Sequence, residues 1–137
     1  MTVILDTSFL FALTDRRDRN HVRVLEAIRT LQANPVLPDV VLPEICYLLA
    51  SRLGHQAMRQ FMRRLDPTQV RIEPLKPDDL LRIQVLLDEY ADSRLDFVDT
   101  AIVAIAERLN ITRICTLDRR DFSIIRPKHC DCFELLP

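Results

Sequence analysis

No apolar run in this 137-residue chain approaches the roughly 18 to 20 residues needed to span a bilayer, so its 48% hydrophobic content is expected to fill a core. The apolar N-terminus has no leading Lys or Arg, contains Asp6 and offers no plausible cleavage site, so a cytoplasmic chain is expected. A net charge of −1 leaves no basic excess for gripping nucleic acid by bulk electrostatics. Lysine is nearly absent, with Lys76 and Lys128 standing against 17 arginines. Arginine's planar fork suits phosphate, although a GC-rich genome explains the bias equally well. Arg16, Arg17 and Arg19, then Arg59, Arg63 and Arg64, then Arg119 and Arg120 form the basic clusters, each readable as a solvated face.

The four cysteines are not a disulfide framework. Cys46 and Cys115 lie in apolar segments, and Cys130 and Cys132 form a tight Cys-x-Cys, so reduced thiols are expected. His129, Cys130 and Cys132 fall short of the four ligands and usual C-x2-C spacing of structural zinc. Glycine occurs once, at Gly54, where it suits the end of a helix. No low-complexity linker divides the chain. A length of 137 residues buries roughly two-thirds of the unfolded surface in one core, so a single domain over 1–137 is expected.

What is present is an alternation of strand and helix patterns. Residues 2–5 read as a doubly buried strand, with Ser8 capping a short helix from Phe9 to Leu13. Val22, Leu25, Ile28 and Leu31 follow helical spacing. Pro35 to Pro38 fits a brief strand, Val40 to Leu53 a helix ending at Gly54, and Gln56 to Leu65 another helix stopped by Pro67. Val70 to Leu75 alternates as a strand, and Pro77-Asp78-Asp79 opens a helix. Asp96 to Leu109 is apolar nearly all round and is expected to be central. Arg113 to Leu117 reads as a buried strand, with short strands at Phe122 to Ile125 and Phe133 to Leu136. Strands separated by helices imply an α/β fold, a mostly parallel sheet flanked by helices.

Four of these apolar segments carry a carboxylate that has no obvious cationic partner in its own segment. Asp6 follows Val3-Ile4-Leu5, Glu44 follows Val40 to Pro43, Asp99 follows Phe97-Val98, and Asp118 follows Ile114 to Leu117. Withdrawing such groups from water costs several kcal/mol unless positive charge compensates them. In an open parallel sheet the functional crevice lies beyond the strands' carboxyl ends, where following helices also begin, so all four can converge on one rim. A hard divalent ion, magnesium or manganese, would neutralise them. Taken singly, each has a local explanation as a helix cap, a turn residue or a first-turn acid.

The segments Ile4-Leu5-Asp6-Thr7-Ser8, Leu42-Pro43-Glu44, Leu95-Asp96-Phe97-Val98-Asp99-Thr100-Ala101 and Thr116-Leu117-Asp118-Arg119-Arg120-Asp121-Phe122, in this order, resemble PIN-domain ribonucleases and in particular VapC toxins. The resemblance covers essentially the whole chain. It implies a three-layer PIN-like fold and a Mg²⁺- or Mn²⁺-dependent endoribonuclease that leaves a 5′-phosphate and a 3′-hydroxyl. It makes Asp6 and Asp99 core metal ligands, with Asp118 as a further ligand and Glu44 completing the catalytic acids. Ser8 and Thr116 would orient water, metal or phosphate, and Asp96 would be an accessory acid or a helix cap. Asp118 is preferred to Asp121 because it follows the strand directly. Thr100 departs from the family's usual Ala and is expected to be tolerated. A tRNA or ribosomal RNA substrate, a VapB-type antitoxin that blocks the site and a homodimer are also implied.

Other readings fit less well. A haloacid-dehalogenase-type phosphatase using Asp6 needs a second Asp where Ser8 stands. A response-regulator receiver needs a Lys after a late strand, and neither lysine fits. A non-catalytic binding module on the same fold remains the serious alternative.

Overall fold

The computed structural model describes all 137 residues. Five strands form one all-parallel sheet: β1 (Thr2–Leu5), β2 (Asn34–Pro38), β3 (Arg71–Glu73), β4 (Arg113–Cys115) and β5 (Glu134–Leu136), in spatial order β3-β2-β1-β4-β5. Seven α-helices flank it: α1 (Thr7–Thr14), α2 (His21–Thr30), α3 (Val41–Leu53), α4 (His55–Arg64), α5 (Pro77–Glu89), α6 (Phe97–Leu109) and α7 (Arg119–Ile124). The central strand β1 buries Val3, Ile4 and Leu5, as a strand covered on both faces must. Helix α6 is buried without interruption from Asp99 to Ala106, which accounts for its lack of a polar face. No helix is long and apolar enough to cross a membrane.

Four local expectations change. Phe122 to Ile125 is not a strand: Asp118 accepts a hydrogen bond from the Asp121 amide and caps α7, whose Phe122 packs into the core, as does Ile125 just beyond it. The first helix begins at Thr7 and is capped by Asp6, so Ser8 lies inside its first turn rather than at its cap. The strand expected over Val70 to Leu75 shortens to Arg71–Glu73, and that over Arg113 to Leu117 ends at Cys115. Gly54 stands at φ +100° between α3 and α4, a backbone that a side chain would strain even though nothing crowds the position.

Sequence gave little sign of an ion-pair network at the β3 edge. Glu73 and Asp79 are each 3% exposed, and Arg108 of α6 reaches both: its Nη1 donates to Glu73 Oε1 at 2.7 Å and its Nη2 to Asp79 Oδ2 at 3.0 Å. Arg82 makes a two-pronged contact with Glu107, at 2.6 and 3.0 Å. Burial pushes the Glu73 and Glu107 carboxyls up, but the arginine hydrogen bonds and charges outweigh it and hold both below their usual value. Buried acids here have cations.

Candidate active site

The opposite holds at the carboxyl end of β1. The N-termini of α1, α6 and α7 and the first turn of α3 meet around a cavity of about 320 Å³ whose lining includes Asp6, Glu44, Asp96, Asp99 and Asp118. Strand β1 delivers Asp6 directly. Strand β4 delivers Asp118 after two further residues, and helix starts deliver the rest. None of these five acids forms an ion pair with Lys, Arg or His.

Asp6 is 4% exposed and fully engaged. Its Oδ1 accepts from the Thr7 amide at 2.7 Å, and its Oδ2 accepts from Thr116 Oγ1 at 2.6 Å and from Ser8 Oγ at 3.3 Å. Ser8 Oγ in turn accepts from the Leu117 amide and Thr116 Oγ1 from the Asp118 amide, each at 2.9 Å. The two hydroxyls therefore fasten the loop after β4 to α1 and fix the Asp6 carboxylate. Burial pushes the Asp6 carboxyl up to about 6 despite these hydrogen bonds, and the nearby Glu44 charge adds to the rise.

Asp99, 6% exposed, is the more extreme case. Burial first, then the charges of Asp96, Asp6 and Asp118 and a hydrogen bond with Asp121, push its carboxyl up to about 9. Asp118 is raised as well, by burial and by Asp121. Asp96 caps α6, its Oδ1 accepting from the Asp99 amide at 2.8 Å, while it also faces the cavity. The local roles as caps and first-turn acids are thus real. Caps and helix dipoles stabilise charge by only about 1 kcal/mol each, and they do not account for an acid held protonated far above its ordinary range.

Asp99, Asp118 and Asp121 each offer one oxygen, and these lie within 4.8 Å of one another. Asp121 therefore shares the site with Asp118. The preference drawn from strand proximity assumed an extended chain after Asp118, whereas a helical turn returns residue i+3 to the same side. Asp6 and Glu44 line the cavity but fall outside that tight group. Thr7, within the Asp-Thr-Ser motif, also lines the cavity. Its buried Oγ1 has no hydrogen-bond partner, a signal visible only in three dimensions. Thr100, in place of the family's Ala, spends its hydroxyl inside α6 on the carbonyls of Asp96 and Phe97.

Two other features lie apart from this site. A cavity of about 630 Å³, lined by Phe9, Leu13, Ile28, Leu37 and Phe61 among others, contains no acid. His129 Nε2 is 2.7 Å from the Ile111 carbonyl and 3.8 Å from Cys130 Sγ, and all four cysteines are free.

The uncompensated acids give a pH prediction. A carboxyl whose folded value exceeds its unfolded one makes the native state bind more protons, so stability falls as pH rises between the two values. For Asp6 that window runs from 3.8 to about 6, and for Asp99 from 3.8 to about 9. Thermal melts in EDTA are expected to show lower stability at about pH 8 than at about pH 5, by a few kcal/mol. Equal or greater stability at the higher pH would contradict an uncompensated cluster.

An all-parallel sheet with acids from β1, α3, α6 and α7 converging beyond its carboxyl edge defines a PIN domain, and a PIN-domain family model matches residues 3–126. The chain belongs to the PIN-domain family. It is 31% identical over 135 residues to Ribonuclease VapC26 of Mycobacterium tuberculosis, covering 98% of this chain and 100% of that protein. Among solved structures it is similar to the sarcin-ricin-loop-cleaving toxin VapC20 of the same organism. The TM-score is 0.80 at 26% identity, over 86% of this chain and 91% of that one. VapBC2 of Rickettsia felis, bound to a DNA fragment from its promoter, superposes with a TM-score of 0.74 at 14% identity, over 100% of both chains. A toxin–antitoxin complex from Klebsiella pneumoniae gives 0.64 at 21% identity, over 90% and 92%. The last two likenesses bear on the fold alone.

Proposed function

We propose that the whole chain acts as one domain, a cytoplasmic divalent-metal-dependent endoribonuclease and the toxin partner of a VapB-type antitoxin. The single observation that carries the chemistry is the contrast between two sets of buried and half-buried acids. Glu73, Asp79 and Glu107 are paired with arginines, whereas Asp6, Asp99 and Asp118 have no cation and are pushed toward protonation. The relatives named as Ribonuclease VapC26 and as a sarcin-ricin-loop-cleaving toxin support the activity and, with it, the toxin role.

The residues present fit a hard divalent ion. Every donor is an oxygen, three carboxylates stand within reach of one centre, and the orphaned Thr7 hydroxyl lies in the same lining. Magnesium or manganese is the ion we propose, held by Asp6, Asp99 and Asp118 with Asp121 beside them. Such an ion supplies positive charge to the phosphoryl oxygens and makes water more acidic.

The chain's own groups have separable tasks. Thr116, Ser8 and the Thr7 amide lock the Asp6 carboxylate in one orientation, and Asp96 fixes the start of α6 and with it Asp99. Glu44 faces the cavity from α3 unpaired and accepts the proton of the attacking water. As the water oxygen bonds to phosphorus, the bond to the 3′-oxygen breaks and that oxygen takes up a proton, leaving a 5′-phosphate and a 3′-hydroxyl.

Purified protein free of antitoxin, incubated with tRNA and ribosomal RNA, is expected to cut with Mg²⁺ or Mn²⁺ and to stop in EDTA. Its products should carry ligatable 5′-phosphates. Failure to cut any RNA with either ion defeats the reading, and RNA binding without cleavage would make the chain a binding module on the same fold.

A further inference from the structure

A nucleic-acid backbone entering this cavity meets a wall of carboxylates, and the lining contains one cationic side chain, Arg52. Glu44, Leu48 and Arg52 stand at i, i+4 and i+8 on α3, so one stripe of the helix faces the cavity. Arg52 is in the last turn, roughly 12 Å along the axis from Glu44. Helical side chains lean toward the N-terminus, which carries its guanidinium back toward the acids.

Although six acids line the same cavity, Arg52 forms no salt bridge with any of them. Its guanidinium carbon instead sits 5.5 Å from the centroid of the Phe11 ring on α1. Stacking on an aromatic face holds the planar fork without using its N–H donors. An arginine serving only the α3 dipole or a surface ion pair would need neither that ring nor that stripe.

Resting on the ribonuclease reading, we propose that Arg52 is a substrate-binding residue that grips a non-scissile phosphate of single-stranded RNA beside the acidic centre. Phe11 positions it. The arginine then offsets the repulsion between the RNA backbone and the acids and sets which phosphate reaches them.

The test uses fluorescence anisotropy of a short single-stranded RNA oligonucleotide in magnesium buffer, with the full chain carrying Asp99→Asn to prevent cutting. Adding Arg52→Gln is expected to weaken binding about tenfold, the loss of a charge-assisted bidentate contact. It should also lower the slope of log affinity against log salt by about 0.7, one phosphate contact on a single strand. Arg52→Lys should keep the slope and lose part of the affinity, because it retains the charge without the fork. Arg29→Gln, on the exposed end of α2, should change neither. In the cutting-competent chain, Arg52→Gln should raise KM with little change in kcat. An Arg52→Gln protein that matches its parent in affinity and slope overturns the proposal, as does a parent that binds no RNA. RNA that is bound through Arg52 but never cut overturns the ribonuclease reading alone.

Discussion

Asp99→Asn is expected to abolish RNA cleavage while making the ion-free protein more stable. Asp99 is buried, faces Asp6, Asp96 and Asp118, and is protonated at neutral pH without a counter-ion. The unfolded chain ionises the same carboxyl near its ordinary value, so folding at pH 7 must carry a proton onto it. Asparagine has nearly the same shape and needs no proton, which removes a cost of the order of a few kcal/mol. The substitution also removes an anionic oxygen from the group with Asp118 and Asp121. Cleavage should fall by at least about 100-fold, the scale seen when one electrostatic group of an active site is deleted. Melting in EDTA should shift upward, and the shift produced by adding magnesium should shrink. A mutant that cuts normally, or gains the full magnesium shift, would remove Asp99 from the site. Loss of activity with loss of stability would mean that the residue is structural.

The second large effect has the opposite sign and lies outside the active site. Arg108→Ala leaves Asp79 buried without a cation and Glu73 with only the exposed Arg71, 2.9 Å away, and breaking a buried pair from one side costs about 3–5 kcal/mol. The melting temperature should drop by roughly 10 °C or more for a chain of this size. Because pairing holds Glu73 below its ordinary value, its contribution is present above the unfolded value of about 4.5 and is lost as pH falls below it. The mutant should therefore lose part of this acid-side dependence, the remainder being held by Arg71. Adding Asp79→Asn to Arg108→Ala should recover part of the loss, because it removes one stranded charge. A drop of less than about 1 kcal/mol would place the network among surface ion pairs.

The two arginine and acid clusters differ in what the sequence could reveal of them. Asp6, Glu44, Asp99 and Asp118 were legible because each interrupts or closes an apolar segment, and a charge in that position is costly wherever the chain folds. Glu73, Asp79 and Arg108 were not. They come from β3, α5 and α6, each in a locally ordinary setting: an edge strand, a helix first turn and a helix last turn. Only the folded chain, with α5 packed on α6 and Arg108 reaching the end of β3, buries the two acids, and then the arginine is 29 and 35 residues from its partners. The nearness of Asp121 to this site is hidden in the sequence for a related reason. Its segment has β-branched and aromatic residues that suit a strand, but the Asp118 cap and the burial of Phe122 make it a helix.

By itself the sequence determined the alternation of strands and helices, the parallel sheet that this alternation demands, and four acids at strand ends and helix starts. These follow from local periodicity and from chain connectivity. Tertiary structure alone decided that Ser8 and Thr116 are spent on Asp6, that Thr7 keeps an unpartnered hydroxyl, and that Asp121 stands beside Asp99. It also decided that Arg52 rests on Phe11 rather than on a carboxylate. The physical reason is common to all of these. Hydrogen bonds, desolvation and charge repulsion depend on distances between residues far apart in the chain, and those distances exist only once the sheet has brought the helix ends together.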